Sequence, residues 1–124
     1  MTKPLALVCY ENLLPGSQLA NRLQDLDYRV QVVAEPPLLQ RVAEAAGALV
    51  VVLEFDSIKH DVAGFVRQFR QHPATRHIPI VAYTRSKEPK NYAAAQTAGA
   101  TVVASDVAIL NHLSQLLEQA LTLD

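Results

Sequence analysis

The acids of this chain gather where acids are costly. The apolar run "VVVLEFDS", Val50 to Ser57, closes on Glu54 and Asp56. A buried strand finishes on carboxylates only if they reach water, find partners or do chemistry. Glu11 follows the apolar run "LALVCY" and Asp106 follows "ATVVAS", while "IPIVAYT" ends on the hydroxyl of Thr84. Carboxylates placed this way could form a catalytic pair, accept a phosphoryl group, attract a divalent ion or make a polar rim. Arg85 and Lys87 lie just beyond Thr84 and could neutralise such a cluster by ion pairing. Other chemistries are poorly supplied. His60, His72, His77 and His112 share no metal-ligand spacing. The four glycines make neither a G-x-G-x-x-G nor a P-loop. Cys9 stands alone, excluding an internal disulfide and a cysteine-rich zinc site, and reads as a small buried hydrophobe.

The elements that must position these residues alternate along the chain. Strand-like runs are Leu5 to Tyr10, Tyr28 to Ala34, "ALVVVLEF", "IPIVAYT" and "ATVVAS". Between them, Leu19, Leu23 and Leu26 share a helical spacing, as do Val62, Phe65, Val66 and Phe69. "PPLLQRVAEAAG" offers prolines for a first helical turn and Gly47 for a stop. "NYAAAQTAG" is an alanine-rich helix, and "VAILNHLSQLLEQALTLD" reads as one long last helix. The pattern is (βα)5. Continuous apolar strands joined by helices predict an α/β fold: a parallel sheet in a doubly wound three-layer sandwich. Ligands in such folds sit outside the carboxyl ends of the strands, where the acids lie.

Half the 124 residues are apolar and 19% are charged, with net charge −1. That suits one packed domain over residues 1–124 and gives no general electrostatic reason to bind nucleic acid or an anionic membrane. The opening apolar run is too short for a signal peptide, and no stretch reaches the roughly 18 apolar residues of a membrane span. The expectation is a soluble cytoplasmic protein.

Three stretches carry a resemblance. "LANRLQDLDYRVQVV", "FVRQFRQHPATRHIPIVAYT" and "AAAQTAGATVVAS" resemble the response-regulator receiver (CheY-like) family, over nearly the whole chain. The resemblance implies a flavodoxin-like fold with strand order 2-1-3-4-5. In that family a phosphoacceptor Asp, a Thr or Ser and a Lys fall about 30 and then about 22 residues apart, and an acidic pair lies about 44 residues before the first. Counting from Thr84 lands on Glu54, Asp106, and Cys9 with Tyr10. The register holds while the chemistry does not. Cys9 and Tyr10 cannot supply two carboxylates to a magnesium ion. Glu54 is one methylene too long for the phosphoacceptor, and Asp106 is negative where a lysine belongs. The family's aromatic switch position falls on Val103. The resemblance therefore implies a pseudo-receiver: no enzyme, no cofactor, no metal, and a signalling role through a protein partner that does not depend on phosphorylation.

Several residues admit two readings. Glu54 is either a built-in phosphate mimic or an exposed carboxylate that has lost its role. Asp56 is either a shifted phosphoacceptor or, more simply, an acid opening a turn with Ser57. Asp106 could join Glu54 and Glu11 in a cluster that attracts a divalent ion, although Ser105 or Asp106 as a helix N-cap is the simpler reading. The cluster motivates the alternative function, a small-ligand or metal sensor. In the last helix Leu110, Leu113, Leu117 and Leu121 form one stripe, and Ile109, Leu116, Ala120 and Leu123 a second. Together they span roughly 160°, beyond the usual core-facing stripe of about 100°. The surplus suggests a partner surface, with Arg85, Lys87, Lys90 and Tyr92 on the same side and a second copy of the chain as one candidate partner.

Overall fold

The computed structural model describes residues 3–57 and 60–122. Five parallel strands form one sheet: β1 (Leu5–Cys9), β2 (Arg29–Val33), β3 (Val50–Glu54), β4 (Ile80–Thr84) and β5 (Val102–Ser105), in the order β2-β1-β3-β4-β5. Every residue of β1, β3 and β4 is buried, so their unbroken apolar runs reflect cover on both faces. The edge strand β2 buries only Val33.

Helices α1 (Leu13–Asp25), α2 (Leu39–Ala46), α3 (Val62–Gln71), α4 (Pro89–Ala98), α5 (Asp106–Asn111) and α6 (Leu113–Thr122) cover the sheet. Leu7, Cys9, Val51 and Leu53 turn towards α2 and α3, packing with Leu39, Val66 and Phe69. Val8, Val52 and Tyr83 face α1, α5 and α6, packing with Leu19, Leu23, Ile109 and Leu117. This alternation is the two-residue period of a strand between two helical layers. The prolines expected to open the first turn of α2 lie just before it instead, in a 3₁₀ segment at Pro36–Leu38.

Two helices depart from the sequence reading. The predicted last helix is two, broken at His112 (φ −129°, ψ 29°). Neither Pro nor Gly marks the break; Asn111, His112 and Ser114 are merely weak helix formers set close together. Helix α1 starts before its leucine periodicity, and Leu14 leaves helical geometry (φ −113°, ψ 132°). Behind it the Tyr10 ring lies flat on Gly16, where an added Cβ would sit 2.2 Å from the ring.

One side chain ties the amino end of the sheet together. The Arg70 guanidinium donates to the carbonyls of Gly99 (2.7 Å), Arg76 (2.8 Å) and Ile78 (2.6 Å) and to the Thr101 hydroxyl (2.8 Å). Gly99 (φ +127°) makes room: a Cβ there would meet Arg70 Cγ at 2.5 Å. Arg70 thus joins the end of α3 to the entries of β4 and β5.

Candidate functional site

The strand pairing brings the sequence-predicted residues to one edge. Cys9 pairs with Leu53, Glu54 with Tyr83 and Thr84 with Ser105, so the loops after β1, β3, β4 and β5 converge at the carboxyl end of the sheet.

Glu54 is not the exposed rim carboxylate that the run-ending position suggests. It is 3% exposed and turned towards the loop after β1. Its Oε1 accepts from the backbone N–H groups of Glu11 (2.7 Å) and Asn12 (3.0 Å), and its Oε2 accepts from Asn12 Nδ2 (3.0 Å). The methylene that makes Glu54 longer than Asp gives it reach to this loop, and three donors offset its desolvation. The charge points inward along the loop rather than outward.

Asp56 takes the place expected of a turn former but bonds elsewhere. Its Oδ1 accepts from the Thr84 hydroxyl and its Oδ2 from the Arg85 N–H, both at 2.6 Å. Thr84 Oγ1 in turn accepts from Ser86 N–H at 3.1 Å. Asp56 therefore laces the loop after β3 to the loop after β4, and Ser57 instead receives the N–H of His60. The Arg85 guanidinium reaches across to donate to the Leu14 carbonyl, joining the loop after β4 to the start of α1.

The remaining pocket residues do not assemble into a cluster. Glu11 is exposed and gives Glu54 only its backbone N–H. Asp106 opens α5 beside a cleft lined by Arg85, Pro15 and Leu110, and accepts from Val107 N–H at 3.0 Å. Ser105, not Asp106, is the N-cap of α5, accepting from Ala108 N–H at 3.0 Å. Among the described residues no three His, Cys, Asp or Glu side chains come together to hold a metal ion. The alternative grouping of Glu54, Glu11 and Asp106 is thus not formed, because Glu54 is drawn into the β1–α1 loop and Asp106 into the helix start.

Burial and the Glu54 charge set the acid–base character of the neighbours. Burial pushes the Cys9 thiol up to about 12, with the negative charge of Glu54 adding to it. At neutral pH the sulfur is a protonated thiol, neither nucleophile nor metal ligand. The Tyr83 hydroxyl, buried without a hydrogen-bond partner among the described residues, is pushed up by burial first and then by Glu54. Tyr10 is half-buried over Gly16. A magnesium ion does not fit this set. Both Glu54 oxygens are engaged by N–H donors, and Cys9 and Tyr10 offer no hard anionic oxygen.

The candidate partner surface is reduced by the structure. Ile109 is completely buried against the sheet and leaves it, because the break at His112 seats both Ile109 and Leu113 in the core. Lys87 and Lys90 are exposed, with Lys90 Nζ 3.1 Å from Glu88. Tyr92, Val103 and Leu116 are half-buried, and Leu123 lies outside the described residues. Sequence reasoning missed the roles of Asn12, whose partner Glu54 lies 42 positions away, and of the Arg70 clamp, which reaches Gly99 and Thr101 at 29 and 31 positions. Only the acid-rich strand end and the arginine-rich end of α3 gave a signal.

The architecture is a five-stranded 2-1-3-4-5 parallel sheet between helical layers, the receiver fold. No family model and no curated protein matches the chain, but solved receiver domains do. The receiver domain of sensor histidine kinase PA1611 from Pseudomonas aeruginosa PAO1, which carries magnesium in its active-site cleft, matches with TM-score 0.85 and 20% identity, over 98% of each chain. A putative response regulator from Chloroflexus aurantiacus J-10-fl matches with TM-score 0.79 and 18% identity, over 94% of this chain and 99% of that one. The chemotaxis response regulator CheY4 of Vibrio cholerae gives 0.76 and 19%, over 93% and 99%. At these identities the likeness is one of fold.

Proposed function

We propose that this chain is a receiver-type signalling module that works without phosphorylation and without catalysis, through contact with a protein partner. One observation carries the reading: the groups a phosphoryl transfer would need are already bonded to one another. An arriving phosphoryl group requires O–H and N–H donors. The donors at the end of β4, Thr84 hydroxyl and Arg85 N–H, are held by Asp56. Glu54, at the phosphoacceptor position implied by the resemblance, is held by Glu11 and Asn12. Asp106 adds negative charge where a phosphoryl group would want a cation. The same bonds count against a metal or small-ligand sensor at the strand ends, whose carboxylates would first have to leave these partners.

The test is incubation with acetyl phosphate, or with beryllofluoride and magnesium, read by intact mass and by backbone amide spectra. The expected result is an unchanged mass and a spectrum indifferent to magnesium. A covalent adduct on Glu54 or Asp56 would overturn the reading. For the partner surface we place Lys87, Lys90, Tyr92 and Leu116 at the contact, with a second copy as one partner. Light scattering of wild type and Leu116→Glu separates the cases. A wild-type dimer lost in the variant supports self-association, and two identical monomers exclude it.

A further inference from the structure

A groove of about 1000 Å³ crosses the opposite, amino-terminal end of the sheet. It runs past Arg29 on β2, Leu5 on β1, Leu49 before β3, Pro79 before β4 and Thr101 before β5. With strands about 4.8 Å apart, five of them make a channel about 19 Å long. Its charge is one-sided. Lys3, Arg29, Arg70 and Arg76 line it with His77, and among the described residues no Asp or Glu lines it. Four of the chain's eleven Lys and Arg thus face one groove in a protein of net charge −1.

The cations are largely uncompensated. Lys3 approaches Asp27, but only at 3.8 Å and in solvent. Arg29 gives its Nε to the Lys3 carbonyl. Every partner of the half-buried Arg70 is a neutral oxygen. Among the described residues no carboxylate lies within ion-pair distance of Arg29, Arg70 or Arg76. A guanidinium partly withdrawn from water and lacking an internal anion attracts an external one more strongly than an exposed cation does. Between the charges the floor is apolar, from Leu5, Leu49, Ile78 and Pro79.

We propose that this groove binds an extended acidic segment of a partner protein. The 19 Å span matches about six residues of extended chain, with carboxylates on the arginines and an apolar side chain on the floor. The groove shares no residue with the carboxyl-end loops, so this proposal stands or falls apart from phosphorylation independence.

The probe is a fluorescently labelled six-residue peptide of glutamates with one central leucine, followed by anisotropy at two salt concentrations and by amide shift mapping. Binding that weakens with salt, and shifts centred on Arg29, Arg76 and His77, are expected. Arg29→Gln with Arg76→Gln should lower affinity about tenfold, and Arg22→Gln with Arg41→Gln, outside the groove, should leave it unchanged. Both pairs are exposed and spare the Arg70 clamp. No binding at millimolar peptide, or equal loss in the two double variants, overturns the proposal. So does inorganic pyrophosphate binding as tightly as the peptide, which would make this a small-anion site. Removal of residues 123–124 tests the chain's own Asp124 as the occupant. A severalfold gain in peptide affinity on removal would assign the groove to that residue and overturn the partner.

Discussion

The two ends of the sheet treat charge in opposite ways. At the carboxyl end, Glu54 and Asp56 are turned onto N–H and O–H groups of adjacent loops, and five hydrogen bonds of 2.6 to 3.0 Å consume their oxygens. At the amino end, three arginines and a lysine line a groove with no carboxylate among the described residues. The first arrangement spends its charges on holding loops and leaves little for a ligand. The second leaves Arg29, Arg70 and Arg76 without a carboxylate partner among the described residues, although Arg70 also clamps the entries of β4 and β5. In α/β folds the carboxyl end is the usual place for a ligand; here the Glu54 and Asp56 carboxylates at that end are engaged, while the cations at the other end lack such partners.

The strongest way to break this contrast is alkali. Cys9 sits beside Glu54, and its folded pKa of about 12 exceeds the ordinary value of 9.0. A raised folded pKa means that the native state holds the proton more tightly. The stabilisation is complete below pH 9 and is lost as pH rises towards 12. Three units correspond to on the order of 4 kcal/mol. Urea unfolding between pH 8 and 11.5 should show a falling limb that flattens in Cys9→Ala. Tyr83 and Tyr28, raised in the same direction by burial, contribute to what remains. An unchanged limb in Cys9→Ala would mean that the carboxyl end is wetter than its geometry indicates.

Next in size is Glu54→Ala. It leaves the N–H groups of Glu11 and Asn12 and the Asn12 amide without their acceptor, a loss of about 3 kcal/mol in urea unfolding. Amide exchange at Glu11 and Asn12 should accelerate with it. A variant as stable as wild type would make Glu54 an idle carboxylate after all. At the other end Gly99→Ala should cost about 2 kcal/mol, because φ is +127° and the new Cβ would strike Arg70. The cost there belongs to the clamp rather than to any charge pair, so it should be insensitive to salt.

What the sequence disclosed follows from the range of each interaction. The central strands are runs of apolar residues whose burial depends on local composition, and β1, β3 and β4 are legible for that reason. That Glu54 and Thr84 close β3 and β4 and Asp106 follows β5 is likewise a matter of element lengths. The direction of a single side chain is not. Nothing local to Glu54 says that it reaches back 43 residues to Glu11 rather than out to water, or that Asp56 rather than Glu54 will take Thr84. The last helix failed differently. Its stripe is continuous, and the stop at His112 comes from a few weak formers whose effect is settled by where Ile109 and Leu113 seat.

The smallest effect is the most discriminating. If charge at the carboxyl end holds the fold while charge at the amino end awaits a partner, Arg76→Gln should change stability by no more than about 0.5 kcal/mol, with a slight gain at low salt. The Arg76 side chain is exposed, and its only tie to the clamp is its backbone carbonyl, which the substitution keeps. Removing one cation from a groove that also holds Arg29, Arg70 and Lys3 relieves like-charge repulsion. Thermal unfolding at low and high salt measures it. A gain that shrinks as salt rises is the signature of unpaired, mutually repelling cations. A loss exceeding 1 kcal/mol would show that Arg76 supports the fold, and the two ends of the sheet would then be alike.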